Sequence, residues 1–340
     1  MNVILGIDQG GTGTRAAVCD LEGNLLGFGT SYGGQHTFQG MEFAMGGVRE
    51  ASQEAMRQAG VIAKDITCIY GGLTGVDFPE EYTLVADGIR SLDLCTNIYT
   101  TNDTIIALRG GTEKPYGAVI IAGTGGNCAI RTPEGVEFTY HYYHDIDLQG
   151  GSAIGQRAVN AILRAQTFRE QPTSLTGRIL QKYQVQTTDD FLRGMIRLEF
   201  SWDSFKELCP IVFEEAYAGD EVAAKILRSF GEGCAEMVTA GLKHFQMTDL
   251  EVEVVLSGSV FKGVGSILID TLNTAIHKVA PKARLVNARY EPVVGAVLLG
   301  LEKLGLAIDT SLKANLDTTA NQLGLIRLQH PVVENNVMYN

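Results

Sequence analysis

Apolar and polar positions fall into short blocks along this chain, and one block pattern occurs twice. Val3 to Ile7 is an apolar run that ends in Asp8 and a loop holding Gly10, Gly11, Thr12, Gly13 and Thr14, after which Ala16 to Val18 carry the chain back. That pattern predicts a strand, a tight polar turn and an antiparallel return strand. Gly117 to Gly135 repeats it, with an apolar strand, the loop Gly123-Thr124-Gly125-Gly126, a short return strand and a Pro-Glu-Gly turn. A third strong strand, Val252 to Leu256, runs into Ser257-Gly258-Ser259. Further strands are expected at 24–30, 65–71, 97–101 and 284–287. Helices are expected at 45–59, 79–91, 153–165 with Ser152 as N-cap, 189–200, 202–217, 221–245, 265–280 and 293–304. In the longest of these Ile226, Leu227, Phe230, Met237 and Leu242 recur at helical spacing, as a core-packing stripe does. Strands and helices alternating in this way define an α/β protein with a largely buried sheet. Beyond about Asp309 the chain turns polar and weakly patterned, and reads as a tail on the surface.

Composition narrows this picture. A chain of 340 residues is long for one core, so two domains are expected. No segment approaches the roughly 18 apolar residues of a membrane span, and Met1 leads straight into a strand without the basic start and apolar core of a signal peptide. A cytoplasmic protein without membrane contact is the expectation. A net charge of −12 argues against a nucleic-acid partner, which needs many Lys and Arg contacts to phosphate. It does not argue against a nucleotide held by backbone N–H groups and a divalent cation. The six cysteines are scattered without a C-x-x-C pair, which points to buried reduced thiols rather than zinc or disulfides.

The loops and the acids beside them are the candidate chemistry. Glycines let backbone N–H groups approach an anion with no Cβ in the way, and successive N–H groups in a turn form a nest that suits phosphate. Asp8 cannot hold phosphate itself, but it can hold a magnesium ion or its water shell. The same glycines would also serve an ordinary hairpin. Ligands of such sheets sit beyond the carboxyl ends of the strands, the rim that carries Asp8, Asp77 and Asp103. Asp103 stands at a strand end, well placed to face that rim, and also reads as part of an Asn-Asp cap on a helix starting at Thr104. The stretch 138–147 offers aromatic faces and hydroxyl groups suited to a sugar. Its His141, His144, Asp145 and Asp147 also raise a metal site, although their spacing matches no usual ligand pattern.

Several motifs stand in a fixed order over about 300 residues: Gly6-Ile7-Asp8 with Gly10-Gly11-Thr12, Gly72-Leu73-Thr74-Gly75-Val76-Asp77, Thr101-Asn102-Asp103, Ile121 to Asn127, Leu256 to Val260, and Glu291 to Ala296. The ordered set resembles the phosphate and adenosine loops of the actin, sugar-kinase and Hsp70 superfamily, within the branch of N-acetylglucosamine kinases and BadF/BadG/BcrA/BcrD-type ATPases. The resemblance implies two actin-like (ribonuclease H-like) α/β domains with an interdomain nucleotide cleft. Residues 1–112 plus 292–310 would form one, 113–291 the other, and 311–340 a C-terminal tail. It also implies ATP and Mg²⁺ as cofactors. Phosphate contacts are expected from Gly10, Gly11, Thr12, Thr14, Gly123, Thr124 and Gly125, and adenine and ribose contacts from Gly258 and Ser259. Asp8 would stand on the metal side and Asp103 would be the base. Gln35, Asp77, Gly126, Asn127 and Gln149 would meet the sugar.

The implied activity is ATP-dependent phosphorylation of an amino sugar, N-acetylglucosamine first, with N-acetylmuramic acid or glucosamine close behind; a homodimer is compatible with it. The chain departs from the family pattern at Leu148-Gln149-Gly150-Gly151-Ser152, where sugar kinases carry Gly-Asp-Glu-Gly-Ser, so that Gln149 stands where they place a sugar-binding acid. Gly13 stands where many carry lysine. The alternative is an ATP-hydrolysing activator or switch of the BadF type, whose relatives share a [4Fe–4S] cluster between two subunits. The glycine-rich surroundings of its cluster cysteines are not found around Cys95, Cys128 or Cys209. A relative that only binds is the third reading.

Overall fold

The computed structural model describes residues 1–143 and 146–327. The first half of the chain builds β1 (Val3–Gln9), β2 (Gly13–Asp20), β3 (Leu25–Tyr32), α1 (His36–Gln39), α2 (Met41–Ala59), β4 (Ile66–Leu73), α3 (Pro79–Arg90), β5 (Ile98–Asn102) and α4 (Asp103–Gly111). Its strands form a five-stranded sheet in the order β3-β2-β1-β4-β5. β1 runs antiparallel to β2 and parallel to β4, and β5 is parallel to β4. There follow β6 (Gly117–Ala122), β7 (Gly126–Arg131), β8 (Glu137–Thr139), α5 (Gly150–Gln166), α6 (Leu175–Lys182), α7 (Thr188–Ile196), α8 (Cys209–Tyr217), α9 (Glu221–His244), β9 (Glu253–Ser257), α10 (Ile267–His277), β10 (Arg284–Asn287), α11 (Pro292–Lys303) and α12 (Thr310–Gln322). The second sheet has the order β10-β9-β6-β7-β8. Read from β8, this is the same third-second-first-fourth-fifth arrangement as the first sheet. The predicted α/β class and the two echoed hairpins are therefore both present.

The chain divides into two compact units. One comprises Met1–Val119, Ala129–Thr139 and the described residues from Val286; the other comprises Ile120–Cys128 and Tyr140–Leu285. Among the described residues no helix is long and apolar enough to cross a membrane.

In the first unit, both faces of the sheet are covered, and β1 is buried at every position. A strand packed on two sides has to be apolar throughout rather than alternating. Val3, Leu5 and Ile7 face Ala44, Met45, Val48, Ala51 and Ala55 of α2. Ile4 faces the other way, into a cluster with Val293, Val294 and Val297 of α11 and Leu312, Leu316 and Ala320 of α12. Two helices approach the sheet unusually closely. A Cβ on Gly27 or Gly29 of β3 would lie 2.2 Å from the carbonyl oxygens of Ala55 and Ala51, so α2 rests on bare backbone. A Cβ on Gly6 of β1 would lie 2.8 Å from Val297 Cγ2, and one on Gly295 of α11 would lie 1.9 Å from the Ile106 oxygen of α4.

Helix α12 replaces the start of the predicted tail. Its N-cap Asp309 accepts a hydrogen bond from Leu312 N at 2.9 Å, and Leu312, Leu316 and Ala320, one turn apart, enter the core. So narrow an apolar stripe among polar residues is a weak sequence signal. Residues 328–340 of that tail lie outside the described residues.

The second unit holds α5 to α10, with α9 packed on α10 and carrying the predicted stripe inward, Ile226, Leu227, Phe230, Met237 and Leu242 all buried. Two expected helices differ. The one predicted to reach Phe200 stops at Ile196, with Leu198 at φ 58°. The one predicted over 202–217 is a 3₁₀ segment, Trp202–Leu208, followed by α8, because Pro210 has no N–H to donate and fits only a helix's first turn.

Gly295→Ala tests the closest of these approaches. A side chain placed 1.9 Å from a backbone oxygen forces α11 off α4, and a loss of about 1–3 kcal/mol or more is expected in denaturant unfolding. Unchanged stability would show that the two helices have room to part.

Candidate active site

Three acids of the first unit gather at the carboxyl ends of its parallel strands. Asp8 lies near the end of β1, Asp77 in the loop after β4, and Asp103 at the first position of α4. Asn102 organises the last two. Its Oδ1 accepts from Thr104 N at 2.9 Å, which makes it the N-cap of α4, and its Nδ2 donates to Asp77 Oδ1 at 2.8 Å and to the Val76 carbonyl at 3.3 Å. Of the two residues read as a cap in the sequence, Asn102 does the capping.

The electrostatics follow from this crowding. Burial, then the negative charges of Asp8 and Asp77, push the Asp103 carboxyl up to about 7 against hydrogen bonds from Thr104. Burial likewise raises Asp8, to about 6, although the Arg15 guanidinium (Nη1 to Oδ2, 3.2 Å) pulls the other way. Arg15 escaped the sequence reading, yet the hairpin register announces it, since Asp8 and Arg15 are directly opposed across β1 and β2. A buried carboxylate among like charges is a donor that suits a hard cation. With a single carboxylate offered, the fit is to an ion such as Mg²⁺ that keeps most of its own waters.

The first glycine loop follows Asp8 directly in sequence. Gly10 N donates to Gly13 O at 2.9 Å, closing the turn, and Gly11 and Thr12 are exposed. Thr14, expected on phosphate, is fully buried; its hydroxyl donates to the Tyr32 carbonyl at 2.7 Å and accepts from Gln9 Nε2 at 3.0 Å. It braces the loop from behind. Gln35 lies against Gly75, whose Cβ would sit 2.9 Å from the Gln35 amide nitrogen, two residues before Asp77.

The second unit carries the other glycine loop, fastened to the start of α5. Gly123 N donates to Gly125 O at 2.9 Å, while Gly151 N and Ser152 N donate to the carbonyls of Gly123 and Thr124 at 2.8 and 3.2 Å. Helix α5 therefore begins at Gly150, earlier than the predicted Ser152 cap, and Gly150 takes φ 51° with a Cβ position 2.3 Å from Gly125 O, where only glycine fits. Thr124 and Gly125 are exposed. Gln149 Oε1 lies 3.3 Å from the Cβ position of Gly125, and Gly126 presses its own against the Leu148 carbonyl at 2.3 Å. Asn127 Oδ1 accepts from Cys128 N and from His141 N, at 2.8 and 3.1 Å, and so holds the aromatic stretch in place. In that stretch Tyr140 donates its hydroxyl to the Met237 carbonyl, and Tyr143 is exposed. His144 and Asp145, raised with His141 and Asp147 as metal ligands, lie outside the described residues.

Gly258, at φ 117°, brings the turn after β9 against the end of β6; a Cβ there would be 2.2 Å from Ala122 O. The result is a pocket of about 280 Å³ in which Gly123, Thr124 and Ser259 share walls with Pro210, Phe213 and Val260, and Lys206 and Lys262 stand at its side. The sequence reading found the glycine and serine walls but not those of Pro210 and Phe213, which come from α8 and become visible only once Pro210 is seen to start that helix.

The chain superposes on a ROK hexokinase from Thermus thermophilus with a TM-score of 0.57 at 16% identity, covering 89% of this chain and 99% of that one, so the fold is that of the actin-like sugar kinases. The chain belongs to the BadF/BadG/BcrA/BcrD ATPase family, whose profile matches residues 5–300. It is 29% identical over 312 residues to the N-acetyl-D-glucosamine kinase of Dictyostelium discoideum, covering 88% of this chain and 98% of that one. It is 27% identical over 304 residues to the N-acetylmuramic acid/N-acetylglucosamine kinase of Clostridium acetobutylicum, with coverage of 88% and 98%.

The raised Asp103 carboxyl has a consequence for stability. Between its ordinary 3.8 and about 7 the folded protein holds a proton that the unfolded chain has released, so this group's contribution to stability falls as pH rises through that window and levels off above it. In Asp103→Asn the side chain is neutral at every pH. The melting temperature of the variant relative to the parent is expected to climb from pH 5 to pH 8, and a difference independent of pH would show that Asp103 keeps an ordinary pKa.

Proposed function

We propose that this protein is an ATP-dependent kinase that phosphorylates an amino sugar, N-acetylglucosamine first, with N-acetylmuramic acid or glucosamine next. The observation that carries the reading is Asp103: a carboxylate at a strand end, held beside Asp77 by Asn102 and raised to about 7, where a general base works best near neutral pH. Phosphoryl transfer asks a protein for alignment and charge neutralisation, plus a base near the attacking hydroxyl. Asp103 takes the acceptor hydroxyl's proton, and Asp77 and Gln35 hydrogen-bond the sugar. From the second unit, Gly126, Asn127 and Gln149 are substrate contacts, Gln149 offering an amide where related kinases carry an acid.

Backbone N–H groups of Gly10 to Thr12 and of Gly123 to Gly125 face the phosphates, aided by the exposed hydroxyls of Thr12 and Thr124. Thr14 serves this site from behind. Gly258 and Ser259 receive adenine and ribose, with Phe213 and Pro210 as apolar walls. Mg²⁺, when bound, neutralises phosphate charge, and Asp8 holds its water shell.

Measuring ATP consumption against a panel of sugars tests the reading, with N-acetylglucosamine expected to stimulate it. Hydrolysis that no sugar accelerates would instead favour an ATP-driven switch. Asp103→Asn is expected to lower turnover by about 10²- to 10⁴-fold while ATP affinity stays nearly constant. Turnover by the parent should rise with pH through about 7, as the carboxyl loses its proton. Full activity in the variant would remove Asp103 as the base.

A further inference from the structure

We propose that His36 and Glu81 form a latch that positions the Gln35 loop over the acceptor site and makes ATP use depend on the acceptor. The inference rests on the kinase reading above and concerns two residues that reading does not use. The His36 side chain is 7% exposed, and its Nε2, buried and without a hydrogen-bond partner, faces Glu81 Oε1 at 3.7 Å. A buried polar nitrogen with no partner is costly, and a carboxylate just beyond hydrogen-bonding distance is the partner a small movement would supply.

The other oxygen of Glu81 is already engaged. It accepts from Asp77 N at 2.6 Å and from Phe78 N at 2.8 Å, so this side chain fixes the backbone that presents Asp77. Asp77 in turn receives Asn102 Nδ2, the cap of the helix that begins with Asp103. His36 therefore reaches, through Glu81, the loop that sets the acceptor acids.

The segment before His36 reaches the first glycine loop as well. Gly34 N donates to Gly10 O at 3.2 Å, and a Cβ on Gly33 would lie 2.3 Å from Gly13 N and 2.5 Å from the carbonyl carbon of Thr12. Residues 33–36 are thus packed against the phosphate loop at one end and face the Asp77 loop at the other, with Gln35 against Gly75 between them. A sugar hydroxyl drawing Gln35 inward carries His36 toward Glu81 and shifts the segment that backs Gly10 to Gly13. His36 and Glu81 are positioning residues; neither is assigned a contact with substrate.

The test uses the full-length protein, steady-state kinetics with N-acetylglucosamine, phosphosugar measured alongside ADP, and binding of a non-hydrolysable ATP analogue. His36→Ala is expected to raise the sugar KM by about tenfold or more, the effect of losing a charge-assisted hydrogen bond, and to release ADP in excess of phosphosugar. Analogue affinity should stay within about twofold of the parent. His36→Gln, which keeps a donor able to reach Glu81, should restore most of the KM and the stoichiometry. Glu81→Gln should shift both in the direction of His36→Ala. A parent that phosphorylates none of the sugars overturns the kinase reading and the latch with it. An active parent whose His36→Ala variant keeps its KM and its stoichiometry overturns the latch alone. So does equal impairment of the Ala and Gln variants, or a fall in analogue affinity that matches the rise in KM, since a role in folding alone would produce either.

Discussion

The approach of α11 to β1 and α4 is the constraint on which the candidate site depends. Gly6 and Gly295 leave no room for a Cβ between these elements, so backbone meets backbone and neither helix can slide without a collision. Asp8 follows Gly6 by two residues on the same strand, and Asp103 begins the helix against which Gly295 is pressed. Locking the three elements together therefore fixes where two of the acids stand. Valines of α11 and the Leu312, Leu316 and Ala320 stripe of α12 seal this side of the sheet, which is why the last described helix belongs to the core.

Given that packing, the charges cannot relax apart. Asp8, Asp77 and Asp103 lie on neighbouring strand ends of one sheet, and burial raises the carboxyls of Asp8 and Asp103 well above the usual range. Arg15 sets a guanidinium beside Asp8. Holding like charges together is unfavourable in an empty site and becomes favourable when a cation or a proton-donating hydroxyl arrives, so the cost of the arrangement points toward what it binds. Asn102 makes the crowding orderly, because one buried amide caps α4 through its oxygen and donates its nitrogen to Asp77 Oδ1.

The second sheet solves a different problem with the same strand order. Its glycine loop has no acid of its own and is instead tied by three backbone hydrogen bonds, one closing the loop and two from the first residues of α5. Where the first unit offers carboxylates, this one offers a half-apolar pocket between that loop and the turn at Gly258. A common scaffold with two chemistries accounts for the echoed glycine hairpins without requiring the surroundings of the two loops to match.

The sequence by itself determined the parts that depend on local physics. Strand, glycine turn and return strand are fixed by apolar runs and by residues that alone fit the turn, so both hairpins, the Gly258 turn and the α9 stripe were legible, as were Asp8, Asp77 and Asp103 at strand ends. Tertiary structure decided everything that needed a partner distant in the chain. Thr14 lost its exposed hydroxyl to Tyr32, Asn102 took the cap from its neighbour by also reaching Asp77, and His36 acquired meaning only when Glu81 came opposite it. The polar segment after Asp309 became a core helix because one narrow face found α11 and the sheet. Spacing along a chain encodes which groups share a strand or a helix face; which of them meet across the fold is settled by packing, and packing leaves little trace in a single sequence.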